Sequence, residues 1–213
     1  MAEQYTFDDW KRLASALQPE GRAWVNGHSV DAIAGATFAC VNPTDQSELA
    51  QACAGESLDI NAAVAAARSA FDRGTWSKLA PAQRKAVLLR FADLIDAHQD
   101  ELGLLDTLNM GKPIRHSTTI DVPAAARAIR WTAEAIDKVY DEIAPTADNE
   151  LGLITREPVG VVGAIVPWNF PLIMAAWKLA PALATGNSVV LKPSEKSPLS
   201  AIRLAQLATE AGL

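Results

Sequence analysis

Residues 159–211 constrain the fold more than any other part of this chain. An apolar run at 159–166 leads into Pro167-Trp168-Asn169-Phe170-Pro171. A helical pattern then covers 171–183, a second apolar run 188–191, and a further helical pattern 198–211. That order is strand, helix, strand, helix. Strands joined by a crossover helix pair in parallel with a right-handed connection, and sheets of this kind take ligands beyond the carboxyl ends of their strands. Functional residues are therefore expected directly after each of the two strands.

Upstream, Thr6 is placed to cap a helix that ends near Leu17, where Pro19 and Gly21 stop it. Strand-like pieces follow at 23–25 and 38–41, with Asn26-Gly27 as a hairpin turn. Residues 59–71 are alanine-rich and helical. After Pro81, the residues Val87, Leu88, Phe91, Leu94 and Ile95 form an apolar stripe at helical spacing. A third long helix is predicted over 122–140, burying Ile129, Ala133 and Ile136. Residues 142–156, broken by Asp148-Asn149 and flanked by extended segments, read as a hairpin arm leaving the main body.

With 213 residues, of which 49% are hydrophobic and 21% charged, the chain can bury a core without disulfide staples. Its net charge of -6, with both signs interspersed, argues against nucleic acid and for a small-molecule substrate. No apolar run approaches the roughly 18 to 20 residues of a membrane span, and the first residues, MAEQYTFDDWKRLA, lack the basic and apolar regions of a secretory signal. A cytoplasmic protein is expected. Cys40 and Cys53 stand in no metal-ligand pattern and read as reduced packing residues, so no metal site is assigned.

Two prolines within five residues fix the turn that presents Asn169. An amide held there has two uses. It can donate to a carbonyl oxygen that becomes negative in a transition state, or it can cap the following helix. After the second strand comes Lys192-Pro193-Ser194-Glu195. Its carboxylate and ammonium can grip the hydroxyls of an adenosine ribose, or simply pair with each other on the surface. The dinucleotide fingerprint Gly-x-Gly-x-x-Gly is absent, because Gly160 and Gly163 fall in the first apolar run and no third glycine opens the next helix.

The run EPVGVVGAIVPWNFP, followed closely by KLAPALATGNSVVLKPSEKSP, resembles the cofactor-domain signature of the aldehyde dehydrogenase superfamily. NPTDQSELA, ARSAFDRGTWSKLAPAQRKAVLLRFADLI and LNMGKPIRHS resemble the N-terminal region of the same family, so the likeness covers nearly the whole chain. DVPAAARAIRWTAEAIDKVYDEIAPT is most similar to the branch that oxidises γ-glutamyl-γ-aminobutyraldehyde and related aminoaldehydes in putrescine breakdown. Asn109 departs from the family, which often carries aspartate at that place in its LDTGKP motif.

The resemblance implies an α/β fold, a Rossmann-like parallel sheet flanked by helices with an N-terminal helical region and a protruding hairpin arm. Residues 1–139 would be the N-terminal part of the cofactor-binding domain, 140–157 an oligomerisation arm, and 158–213 the first βαβα portion of the core. It implies NAD as cofactor, with NADP admitted if the glutamate moves, and assembly of the whole protein as a homodimer or homotetramer. Asn169 takes the oxyanion role. Ile165, Val166, Pro167 and Trp168 lie along the nicotinamide through their backbone, Lys192, Ser194 and Glu195 clamp the adenosine ribose, and Phe170, Met174 and Trp177 wall the aldehyde tunnel. In a complete enzyme a thiolate adds to the aldehyde and a thiohemiacetal is oxidised to a thioester, which water then hydrolyses. The family's cysteine nucleophile and glutamate base fall past Leu213, so these 213 residues alone are expected to be inactive. The rival expectation is a truncated or split fragment that binds nucleotide or its own partners without catalysis.

Overall fold

A computed structural model describes residues 5–213. Thr6 caps α1 (Phe7–Ala16), and Asp9 returns a carboxylate to the Thr6 backbone in a reciprocal capping box. β1 (Ala23–Val25) turns back into β2 (His28–Val30) through Asn26 and Gly27, at φ 52° and 79°, the pair of left-handed residues that a type I′ hairpin requires. β3 (Thr37–Val41) pairs antiparallel with β4 (Glu48–Cys53). Four helices follow: α2 (Ser57–Arg73), α3 (Pro81–Ala97), α4 (Gln99–Met110) and the single turn α5 (Ile114–His116). A π-helical turn, Ser117–Asp121, then runs into α6 (Val122–Ala135) and a closing 3₁₀ turn, Ile136–Lys138.

The arm is a ribbon of β5 (Glu142–Ala144) and β6 (Gly152–Ile154), turned at residues 148–149. The last unit is β7 (Val161–Ile165), α7 (Pro171–Ala184), β8 (Ser188–Lys192) and α8 (Leu199–Ala211). β7 and β8 are parallel, in a register that sets Val161 opposite Ser188 and Ile165 opposite Lys192. The chain therefore has the α/β architecture of parallel strands and crossover helices.

The core lies between α3, α6, α7 and α8. Leu88, Phe91, Ile95, Ile129, Leu172, Leu204 and Leu207 are fully buried there, and large apolar side chains removed from water in this way each contribute about 1.5–3 kcal/mol. Ala125 and Ala126 of α6 and Ala175, Ala176 and Ala180 of α7 join the same core, where small side chains let helix backbones approach closely.

Two expectations are corrected. The third helix ends at Lys138 rather than Tyr140, because Val139 turns to extended backbone at φ -101° and ψ 101°. Gly160, with φ 121°, precedes the strand instead of lying within it. The whole of α4 is an addition: no clean apolar stripe announces it, since its buried side includes Asp106 and Asn109.

α7 is held from outside its own unit. The Trp76 indole N–H donates to the Leu183 carbonyl at 2.9 Å, and Arg84 Nε donates to the Ala184 carbonyl at 3.3 Å, so side chains from outside hold the last turn of the helix. Asn187 ties the helix to the sheet. Its Oδ1 accepts from the Gly160 N–H at 2.9 Å, while its Nδ2 donates to the Ala182 carbonyl at 3.1 Å. The start of β7 and the end of α7 are thereby locked together.

Candidate functional site: the ends of the parallel strands

Because Ile165 faces Lys192 in register and the Val166 N–H donates to the Lys192 carbonyl at 3.2 Å, both strands end at one level. The Asn169 turn and the segment 192–195 consequently stand side by side. The Ser197 hydroxyl reaches the Trp168 carbonyl at 3.5 Å, and the Lys196 ammonium lies 5.8 Å from the centre of the Trp168 ring. Two loops separated by a helix and a strand form one rim.

Val166 is buried, anchoring the end of β7, whereas Ile165, Pro167, Trp168 and Asn169 are exposed. Ile165 stands 78% exposed, an unusual degree for an isoleucine in a strand. Phe170 occupies the N-cap position of α7, and no side chain hydrogen-bonds the cap. Helix capping, the local reading of Asn169, is therefore not what the asparagine does. Its amide makes no hydrogen bond among the described residues and is free to donate outward.

Across the rim the Lys192 ammonium and the Glu195 carboxylate form an ion pair at 3.4 Å, with both side chains more than half exposed. The surface pairing read from the sequence is present. An exposed pair of this kind is worth little and parts readily for a ligand. The backbone N–H of Glu195, and then the Lys192 ammonium, hold the carboxyl below its usual range, so it is a pure acceptor at neutral pH. The Ser194 hydroxyl, itself buried, accepts from the Lys196 N–H at 3.2 Å and lies 3.5 Å from the Glu195 carboxylate. An anionic acceptor, an ammonium and a hydroxyl at the carboxyl end of β8 fit the vicinal hydroxyls of a nucleoside ribose.

The face of α7 that carries Phe170, Met174 and Trp177 points away from the core: Phe170 and Trp177 are exposed and Met174 is half-buried, while Leu172, Ala175 and Ala176 on the opposite side are fully buried. An open aromatic face beside a polar turn can line an apolar channel. Neither cysteine takes part. Burial, with the Glu48 carboxylate adding, pushes the Cys40 thiol up to about 11, and burial also raises Cys53, so both remain thiols rather than nucleophilic thiolates.

Behind the turn lies a polar group that the sequence does not announce. Asp106, from α4, is 1% exposed, and neither carboxylate oxygen has a partner in hydrogen-bond geometry. The Asn109 Nδ2 and the Ser200 hydroxyl are likewise buried without partners. Desolvation pushes the Asp106 carboxyl up to about 7, with the neighbouring Asp121 charge adding, while the Ser200 hydroxyl, the Lys112 ammonium and the Leu172 N–H pull the other way.

The aldehyde dehydrogenase family model matches residues 30–213. NADP/NAD-dependent aldehyde dehydrogenase PuuC of Escherichia coli (strain K12) is 60% identical over 204 residues, which are 96% of this chain and 41% of PuuC. The crystal structure of gamma-glutamyl-gamma-aminobutyraldehyde dehydrogenase from Burkholderia cenocepacia J2315 superposes with a TM-score of 0.97 at 61% identity, covering 98% of this chain and 42% of that one. An indole-3-acetaldehyde dehydrogenase complexed with NAD+ has the same TM-score at 59% identity and the same coverage. This chain thus spans about two fifths of the length of the relatives it matches. On that match, and with the parallel strand ends in register, the chain belongs to the aldehyde dehydrogenase family.

Proposed function

We propose that the protein carrying this chain oxidises an aldehyde to the carboxylic acid with NAD or NADP, and that these residues supply the cofactor grip and one oxyanion donor. The observation that carries the reading is the level ending of β7 and β8, which places the unbonded Asn169 amide on one rim with Lys192, Ser194 and Glu195. The nicotinamide cofactor, when bound, supplies the electron acceptor. The chain's own part is to hold the ribose with Lys192 and Glu195, to offer the backbone of residues 165–168 and the exposed Ile165 to the flat ring, and to aim Asn169 at the carbonyl oxygen.

Phe170, Met174 and Trp177 would then form one wall of the aldehyde's path. Likeness to the Burkholderia gamma-glutamyl-gamma-aminobutyraldehyde dehydrogenase favours aminoaldehydes of that kind as the substrate class. The arm bears Ile143, Leu151 and Leu153 largely exposed on a two-stranded ribbon. A two-stranded ribbon is marginal by itself, and its apolar side chains and open edges suit the sheet of a second copy in a homodimer or homotetramer.

The full-length protein should form reduced cofactor when given NAD and a series of aldehydes of different length and charge, with the γ-glutamyl aminoaldehyde turned over most efficiently. Absence of cofactor reduction with every aldehyde would sink the proposal. A second measurement addresses the clamp. Glu195→Gln should weaken NAD binding more than NADP binding, because the carboxylate accepts from a ribose hydroxyl but repels a 2′-phosphate. An unchanged ratio of the two dissociation constants would place Glu195 outside the ribose site.

A further inference from the structure

A buried ion pair stands against the turn that presents Asn169. Gly111 closes α4 in the left-handed conformation at φ 79°, and the next residue, Lys112, turns inward. Its ammonium contacts the Asp121 carboxylate, with the two side chains only 12% and 3% exposed. Asp121 closes the π-helical turn, whose wide ring is marked by the Val122 N–H reaching back to the Ser117 carbonyl. The same ammonium sits 3.8 Å above the centroid of the Phe170 ring, and Phe170 is both the N-cap of α7 and the neighbour of Asn169.

A buried ion pair is weak evidence for stability, since replacing such a pair with apolar groups of similar volume is often neutral or favourable. Its placement is more informative. A desolvated cation over an aromatic face is attracted by the ring quadrupole, so Lys112 has one partner that anchors it and one that it restrains. The restrained partner starts the helix whose first turn follows the oxyanion donor, and an amide must be aimed closely to stabilise a developing charge.

We propose that Lys112, anchored by Asp121, is a positioning residue that fixes Phe170 and, through it, the orientation of Asn169. The proposal rests on the oxyanion reading of Asn169. Lys112 acts through the Phe170 ring and touches neither substrate nor cofactor.

The test uses the full-length protein and the paired variant Lys112→Met/Asp121→Asn, which leaves no uncompensated charge. Single-turnover formation of reduced cofactor should slow by about tenfold or more, while NAD affinity stays within roughly twofold of wild type. A folded paired variant with the wild-type rate would overturn the proposal. So would a paired variant that fails to fold, since the pair would then be a structural brace. Asp121→Asn alone keeps the ammonium but removes its anchor, and is expected to slow the same step by a smaller factor; a wild-type rate there would refute the anchoring. Asn169→Ala runs alongside. If it too retains the wild-type rate, the oxyanion reading falls and takes this proposal with it, whereas a slow Asn169→Ala beside a fast paired variant refutes this proposal alone.

Discussion

Asn169→Ala in the full-length protein is expected to slow the acylation step by about a hundredfold or more, equivalent to nearly 3 kcal/mol of barrier, and to leave cofactor affinity nearly unchanged. The split follows from when the interaction gains strength. An amide donor contributes little to a neutral carbonyl and much more as the oxygen becomes negative, so its loss appears in the barrier and not in ground-state binding. A helix-capping asparagine would behave in the opposite way, losing about 1 kcal/mol of stability with catalysis intact. Since Phe170 occupies the cap position of α7 without a side-chain cap bond, the melting temperature should barely move. A stopped-flow burst of reduced cofactor and a thermal melt on the same variant separate the two roles, and a lowered melting temperature with an intact burst would remove Asn169 from the chemistry.

The second large effect belongs to Asp106 and is read in stability. Burial raises its carboxyl from 3.8 to about 7 in the folded chain. The folded state therefore binds a proton that the unfolded state has already released, so stability attributable to this group is complete below about pH 4 and declines as the pH rises towards 7. A rise of that size corresponds to about 4 kcal/mol as an upper bound. Asp106→Asn keeps the shape without the titration. Relative to wild type, the variant should gain stability steadily between about pH 4 and 7 and hold a constant advantage above that. Chemical denaturation of both proteins across this range gives the difference directly, and a difference independent of pH would mean that Asp106 ionises as an ordinary exposed carboxylate does.

These two residues also divide what was legible in the amino-acid order from what was not. Asn169 and Glu195 follow apolar runs directly, and once the runs are strands in a parallel pair their position implies the ligand-facing end. Asp106 and Lys112 carry no such signal. Their surroundings come from α7 and α8, dozens of residues away, and from the π-helical turn, whose Asp121 is 9 residues on from Lys112, and local spacing does not show a carboxylate losing its water. α4 was obscured for a related reason. Gly103 interrupts its pattern yet is required by packing, because a Cβ there would lie 2.5 Å from Thr118 Cγ2 and 3.1 Å from the Thr118 backbone nitrogen. The π-helical turn gives no local signal: what distinguishes it is the Val122 N–H reaching back to the Ser117 carbonyl, a bond that residue order alone does not show. By contrast, the Asn26-Gly27 hairpin and the Pro81 helix start were readable because their causes are local.

The clasp of Trp76 and Arg84 on the last carbonyls of α7 bears on how the chain is made. A ribosome delivers α3 and α6 well before α7, so Phe91 waits for Leu172 of the same core while roughly 80 further residues are synthesised, a delay of several seconds at ~5–20 residues per second. Until α7 is made, Leu88 and Phe91, and Ile129 once it has been added, lack the α7 side chains that complete the trough they line in the folded chain, and the Trp76 and Arg84 donors bond water in place of the α7 carbonyls. Substitutions along this trough should consequently be felt first during translation, as dependence on chaperones, before they are visible in the equilibrium stability of the finished fold.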